Sequence, residues 1–192
     1  VYTELQGSEE GIEIIAESLM EAAMECGSDP DQAWALSGET EVEKLHAFRH
    51  AAAETANLYI EEQRRNDDRI TKLGTDMVIG EQTFKDLLEQ YEEDMNQAGL
   101  EGCIFGHALE NHLHVNILPE DYEAYEKGIE LIRNWAERTR ALHGVLSGEH
   151  GVGKLKRQIL GACVPEDYQE LCRKLKAHLD IEGRLNQGNI LG

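Results

Sequence analysis

The most informative part of the chain lies between Cys103 and Leu118 and reads CIFGHALENHLHVNIL. Apolar residues near both ends and a polar segment between them predict two strands joined by a turn. If Glu110 and Asn111 form a two-residue turn, the strands pair as an antiparallel hairpin.

Three histidines lie on this predicted hairpin. The two-residue turn places His107 directly opposite His114, with Cβ atoms about 4.5–5.5 Å apart. Two imidazoles at that separation can bind one divalent ion. His112 and Asn116 share the face of His114, because side chains alternate along a strand. Isolated histidines are more often surface or hydrogen-bonded side chains, and a third ligand would favour the metal site.

The flanking segments extend this hairpin in both directions. A strand is predicted over residues 77–79, an amphipathic helix over 84–99 and a second helix over 119–136. Residues 144–147 form either a short last strand or a loop that folds back toward the hairpin. With the strand, the order over residues 74–147 is β-α-β-β-α-β. This is the ferredoxin-like split βαβ arrangement.

The rest of the chain adds further predicted helices. An N-terminal β-α-β block is predicted from strands over residues 1–7 and 31–37 and a helix over 12–27. A long helix over 39–65 follows it, and a last helix over 165–179 precedes a turn-rich tail. We therefore expect an α+β fold, with an antiparallel sheet and packed helices.

Composition and charge exclude some classes of function. The chain has 192 residues, with 38 Asp and Glu against 18 Lys and Arg, and a formal charge of -20. Such a charge does not favour nucleic-acid binding. There is no apolar run of the roughly 20 residues that a membrane span needs, and no signal-peptide pattern. We expect a cytoplasmic protein and, because the chain starts at Val1, a piece of a longer one.

A second motif, Ser147–Lys154, reads SGEHGVGK. Glu149 and His150 can supply a metal ligand and a base side by side, and the glycines allow the backbone to bend. The segment also matches most of a phosphate-binding loop, but Leu155 stands where that loop needs Ser or Thr for Mg²⁺. Elsewhere, Arg49 and Lys72 are cations that either hold a substrate carboxylate or form ordinary salt bridges.

Together these motifs resemble the C-terminal domain of FAD-linked oxidases, such as D-lactate dehydrogenases, the glycolate oxidase flavin subunit and D-2-hydroxyglutarate dehydrogenases. The resemblance rests on GHALENHLHVNIL, SGEHGVGK, the Arg49-His50 helix, the Lys72–Ile79 strand and the tail LNQGNIL. It implies that residues 1–192 form the cap or substrate domain. An N-terminal FAD-binding domain would lie outside them.

The resemblance also implies roles for individual residues. The implied metal ligands are His107, His114 and Glu149, for Zn²⁺ or Mn²⁺; the implied base is His150; the implied substrate contacts are Arg49, Lys72 and Asn116. The family has a Gly-Asp-Gly-Asn run where this chain has Leu109-Glu110-Asn111-His112. Because of this difference, the resemblance does not identify which hydroxy acid is the substrate.

The implied reaction is the metal-assisted oxidation of a 2-hydroxy acid to a 2-oxo acid, with hydride transfer to FAD. Its partners are the FAD domain, a small 2-hydroxy acid and an electron acceptor protein or quinone. A homodimer and a peripheral position at the inner face of the membrane are both compatible with it. These 192 residues alone are expected to be inactive. The alternatives are a His/His/Glu metal-binding module and a metallohydrolase without flavin, which would use the same ligands.

Overall fold

The computed structural model describes residues 1–80 and 82–189 of the chain. Its helices are α1 (Glu9–Glu25), α2 (Glu39–Asn66), α3 (Phe84–Ala98), α4 (Tyr122–Ala141), α5 (Gly153–Leu160) and α6 (Glu166–Leu179), and its strands are β1 (Leu73–Gly74), β2 (Met77–Val78), β3 (Gly102–His107) and β4 (His112–Ile117). The chain divides into two compact units, Val1–Thr55 and Ala56–Gly192, and the division falls within α2. No helix in the described ranges is long and apolar enough to cross a membrane.

The first unit is helical. Helix α1 begins after Ser8, whose hydroxyl accepts the Gly11 N–H and caps the helix. The predicted helices over 12–27 and 39–65 are confirmed. The strands predicted over 1–7 and 31–37 are wrong: both segments lack strand structure, and a short 3₁₀ turn covers Pro30–Gln32. Their alternating pattern does not produce strands because no neighbouring strand in the described unit pairs with them.

The second unit contains an antiparallel sheet with β4 in its middle. Strand β3 pairs with one edge of β4, while β1 and β2 pair in turn with the other edge. A single antiparallel bridge between Val78 and Val145 places residue 145 next to β2, where a fourth strand of the sheet would lie. This is the order of a split βαβ sheet. The predicted α+β fold with an antiparallel sheet is therefore confirmed, although residues 144–147 supply one bridge rather than a strand.

The core lies on one face of this sheet. Leu113, Val115 and Ile117 alternate along β4 and belong to a buried cluster with residues of α3 and α4. Within that cluster the rings of Tyr91 and Trp135 meet edge to face, with centroids 4.8 Å apart. The remaining β4 side chains must occupy the opposite face because successive residues alternate.

The hairpin itself forms in a different register from the predicted one. His107 pairs with His112, and Phe105 pairs with His114. The two-residue turn was wrong because four residues connect the strands: a 3₁₀ turn over Ala108–Glu110, then Asn111 in the left-handed region (φ 49°). A shift of two residues leaves every side chain on its predicted face, because the strand period is two.

The segments after α4 are partly as expected. Helix α6 confirms the prediction over 165–179, and the residues after it form turns up to 189, as predicted. Helix α5 occupies part of a region that the glycine spacing indicated as a loop. The predicted tail residues beyond 189 lie outside the described part of the chain.

Candidate active site

Four titratable side chains meet on the polar face of the sheet. The ligand atoms offered by Asp76, His112, His114 and Glu149 all lie within 4.8 Å of one another, and only Glu149 is exposed. Opposite ligands of a metal with bonds of about 2.1 Å lie roughly 4.2 Å apart. The four atoms are therefore close to the spacing of a metal-binding site.

The cluster forms at the middle of the sheet because one register aligns two strands with β4. Gly74 pairs with Asn116, and Met77 pairs with Leu113. The same register brings Asp76 to the level of His114. Between the two pairs the Thr75 hydroxyl accepts the Val115 N–H at 3.0 Å, in place of a backbone carbonyl.

Asp76 holds the loop after α4 against the sheet. Its carboxylate accepts hydrogen bonds from the Ser147 hydroxyl (2.6 Å), the His150 N–H (2.8 Å) and the Glu149 N–H (3.2 Å). His112 donates from Nε2 at 2.9 Å. Burial alone would raise the pKa of Asp76, but the hydrogen bonds from Ser147, His150, His112 and Glu149 lower it to about 2.

His114 is placed to act as a neutral ligand. Nδ1 lies 3.4 Å from the Thr75 carbonyl oxygen, a contact that favours the tautomer with its proton on Nδ1; Nε2 is then an acceptor 3.0 Å from Glu149 Oε1. Burial lowers the pKa of His114, and the nearby His112 lowers it further. In this tautomer two acceptors face each other at 3.0 Å, and a divalent metal bound to both would satisfy them.

His107 lies beside the cluster but is not one of its four members. Its ring centroid is 6.2 Å from that of His114 and 5.9 Å from that of His112. The register explains this, since His107 pairs with His112 rather than with His114. The metal-ligand role of His107 stays a prediction.

His150 and Asn116 lie on the same side of the sheet as the cluster. His150 is exposed, with Nε2 3.2 Å from Glu149 Oε1 and its ring centroid 4.9 Å from that of His114. Asn116 is buried against Gly74, where an added Cβ would lie 3.1 Å from the Asn116 Oδ1. Both positions are compatible with contact to a small molecule bound beside Glu149.

The two predicted carboxylate-binding cations belong to different units. Lys72 is exposed in the second unit, and its ammonium donates to the neutral Asn57 amide at 2.8 Å. Arg49 lies on α2 in the first unit, 5.9 Å above the ring of Tyr2. Neither forms a salt bridge within residues 1–80 and 82–189, and the substrate-binding roles of both cations stay predictions.

Sequence reasoning missed Asp76 and Lys156 as members of this region. The Lys156 ammonium lies 3.9 Å from Asp76 Oδ2, with its side chain 22% exposed. Burial lowers the pKa of Lys156, and the nearby Lys72 contributes in the same direction. The available signal for Asp76 was a polar Thr-Asp pair that interrupts an otherwise apolar strand.

The second unit is thus an α+β domain with a candidate metal-binding cluster. The chain matches the family model described as FAD linked oxidases, C-terminal domain, over residues 2–190, and it belongs to that family.

Among curated proteins, it is 34% identical to a mitochondrial D-lactate dehydrogenase [cytochrome] of Kluyveromyces lactis over 60% of this chain and 20% of that protein. It is 26% identical to a probable mitochondrial D-lactate dehydrogenase of Danio rerio over 100% of this chain and 37% of that protein. A mitochondrial D-2-hydroxyglutarate dehydrogenase of Bos taurus is 34% identical over 45% of this chain and 16% of that protein. The chain therefore spans well under half the length of each of these relatives.

Proposed function

We propose that this chain is the substrate-binding part of an FAD-dependent D-2-hydroxy acid dehydrogenase. The observation that carries the proposal is the facing pair of His114 Nε2 and Glu149 Oε1, 3.0 Å apart, with His150 beside it. Membership of the FAD-linked oxidase family supports a redox role over the flavin-free alternatives.

The donor chemistry of the cluster fits a divalent metal. A neutral imidazole and a carboxylate are ligands that Zn²⁺ and Mn²⁺ both accept. We propose His107, His114 and Glu149 as the residues that hold the ion. When bound, the ion supplies positive charge that favours ionisation of a 2-hydroxyl, and FAD held by the rest of the protein serves as the hydride acceptor.

The residues of this chain would bind the hydroxy acid and move one proton. His150 is exposed beside Glu149, where its imidazole would accept the proton of the substrate hydroxyl. Lys72 and Arg49 would hold carboxylate groups, and Asn116 would contact the substrate near the metal. Fixing the carboxylate orients the C–H bond toward the flavin, an effect worth several kcal/mol of the barrier.

The experiment uses the whole protein that contains this chain. D-lactate, D-2-hydroxyglutarate and glycolate are added anaerobically, and the loss of oxidised-flavin absorbance is measured. We expect at least one of them to bleach the flavin, with stoichiometric metal found by elemental analysis. Absence of bound flavin, or of bleaching by every D-2-hydroxy acid tried, would refute the proposal.

The base is tested separately. His150→Asn should retain its metal and flavin but reduce the flavin about 10²–10⁴-fold more slowly, the usual contribution of a general base. His178→Asn, at an exposed position on α6, is the matched control and should behave like the parent protein. A parent-like rate for His150→Asn would contradict the assignment.

Three further expectations stay predictions: the cytoplasmic location, the electron acceptor protein or quinone, and the homodimer.

A further inference from the structure

Asp76 is the most heavily hydrogen-bonded side chain of the candidate site. It has no exposed surface, and it connects β4 to the loop that carries Glu149 and His150. We propose that Asp76 is a positioning residue, which fixes this loop for metal and substrate binding, and that it is not itself a metal ligand. This inference rests on the proposed function, because it assigns a division of labour within that same site.

The hydrogen bonds of Asp76 leave no oxygen lone pair for a metal. Oδ2 accepts from the Ser147 hydroxyl, the His150 N–H and the Glu149 N–H, at 2.6, 2.8 and 3.2 Å. Oδ1 accepts from His112 Nε2–H at 2.9 Å and shares the Glu149 N–H at 3.3 Å. A carboxylate has about four acceptor sites, and four donors already fill them.

His112 is the fourth donor to Asp76, and this bond leaves only Nδ1 of its ring with a free lone pair. Its Nε2–H is donated to Asp76, and its ring lies directly under the loop: an added Cβ on Gly148 would be 2.8 Å from His112 Cε1. His112 therefore supports the loop from below, while Asp76 holds it from the side. His114 Nε2 and Glu149 Oε1 face each other at 3.0 Å and remain the two cluster atoms proposed to bind the metal.

Asp76 acts on three consecutive residues of the loop. The Gly148 N–H donates to the Asp76 backbone carbonyl at 2.7 Å, and the next two N–H groups donate to its carboxylate. These bonds set the backbone from which the Glu149 side chain reaches His114. The Glu149 side chain is 49% exposed, so its position depends on the backbone that these bonds anchor.

The test measures metal affinity in the whole protein. Asp76→Asn keeps the shape but replaces one acceptor oxygen with an NH₂ donor that faces other donors. Loss of an outer-shell partner typically weakens metal binding about 10–100-fold, and we expect this range for Asp76→Asn in chelator competition with Zn²⁺. Ser147→Ala removes one of the four donors and should weaken binding in the same direction by a smaller factor. It decides the question if Asp76→Asn does not fold.

Asp94→Asn is the matched control. Asp94 is another aspartate of this unit, partly rather than fully buried, and it accepts hydrogen bonds from Trp135 and Arg138 away from the cluster. It should lower the melting temperature without changing Zn²⁺ affinity. In a Glu149→Gln background, Asp76→Asn should have little further effect on affinity, because it acts through the position of Glu149.

Each outcome separates the two proposals. If Asp76→Asn and Ser147→Ala bind Zn²⁺ as tightly as the parent protein does, the positioning role is wrong and the proposed function still stands. Additive effects of Asp76→Asn and Glu149→Gln also overturn it, since they mean independent contributions. If the parent protein binds no metal, both the metal part of the proposed function and the positioning role are wrong.

Discussion

Gly148→Ala is expected to release the loop that carries Glu149 and His150. A Cβ at residue 148 would lie 2.8 Å from His112 Cε1, 2.9 Å from His112 Nε2 and 2.9 Å from Val78 Cγ2. All three distances are shorter than van der Waals contact, so either the His112 ring or the loop backbone must move. Movement of the ring breaks its hydrogen bond to Asp76, and movement of the backbone breaks the loop N–H bonds to the same carboxylate.

The cost can be worked out from these contacts. A hydrogen bond to a charged group contributes about 1.5–3 kcal/mol. Gly148 has a φ that alanine can adopt, so the loss of backbone freedom in the unfolded chain offsets about 0.4–1 kcal/mol of this. The net destabilisation of the loop is then roughly 1–2 kcal/mol, and about 1.4 kcal/mol corresponds to a tenfold change in an equilibrium constant.

The assay is native-state hydrogen exchange of the peptide that contains residues 149 and 150, whose amides donate to Asp76. We expect their exchange to be on the order of tenfold faster in Gly148→Ala, because local opening becomes that much easier. Gly80→Ala is the control, since Gly80 is exposed and an added Cβ there meets nothing within 4 Å. Unchanged protection at residues 149 and 150 would refute the contact argument.

Three further predictions concern the core and the cations of the second unit. The Tyr91 hydroxyl is buried without a hydrogen-bond partner in the described residues, and burial raises the pKa of Tyr91 to about 12. The free energy of unfolding should be unchanged below pH 10 and fall by about 2 kcal/mol toward pH 12, because Tyr91 ionises in the unfolded chain first. Urea unfolding of Tyr91→Phe over the same pH range should show a smaller fall. Trp135→Phe removes the indole N–H that donates to Asp94 at 2.7 Å. It should lower the free energy of unfolding, measured with urea, by about 2 kcal/mol, and a change under about 0.5 kcal/mol would contradict this. The Lys156 ammonium lies 3.9 Å from Asp76 Oδ2, and we expect its charge to attract the substrate carboxylate to the site. Lys156→Met should then raise the KM for the hydroxy acid about tenfold. Lys154→Met, exposed on the same helix, should leave KM unchanged, and equal KM values for the two variants would contradict this role.

The elements were largely predictable, because local pattern and long-range packing agree for most of the second unit. The apolar spacing of α3 and the alternation of β4 both serve one core, so the predicted elements formed. The strands predicted over 1–7 and 31–37 failed because a strand needs a partner, and alternation within one segment carries no information about one.

The chain by itself determined which face of β4 carries His112, His114 and Asn116, since a period of two survives a register error of two residues. It also supplied the Glu149-His150 pair and the family resemblance. Only the tertiary structure placed Asp76 beside that pair, because residues 76 and 149 meet through sheet register and loop packing across 73 positions of sequence. Hydrogen bonds between distant segments depend on where the whole backbone goes, and no local pattern encodes that.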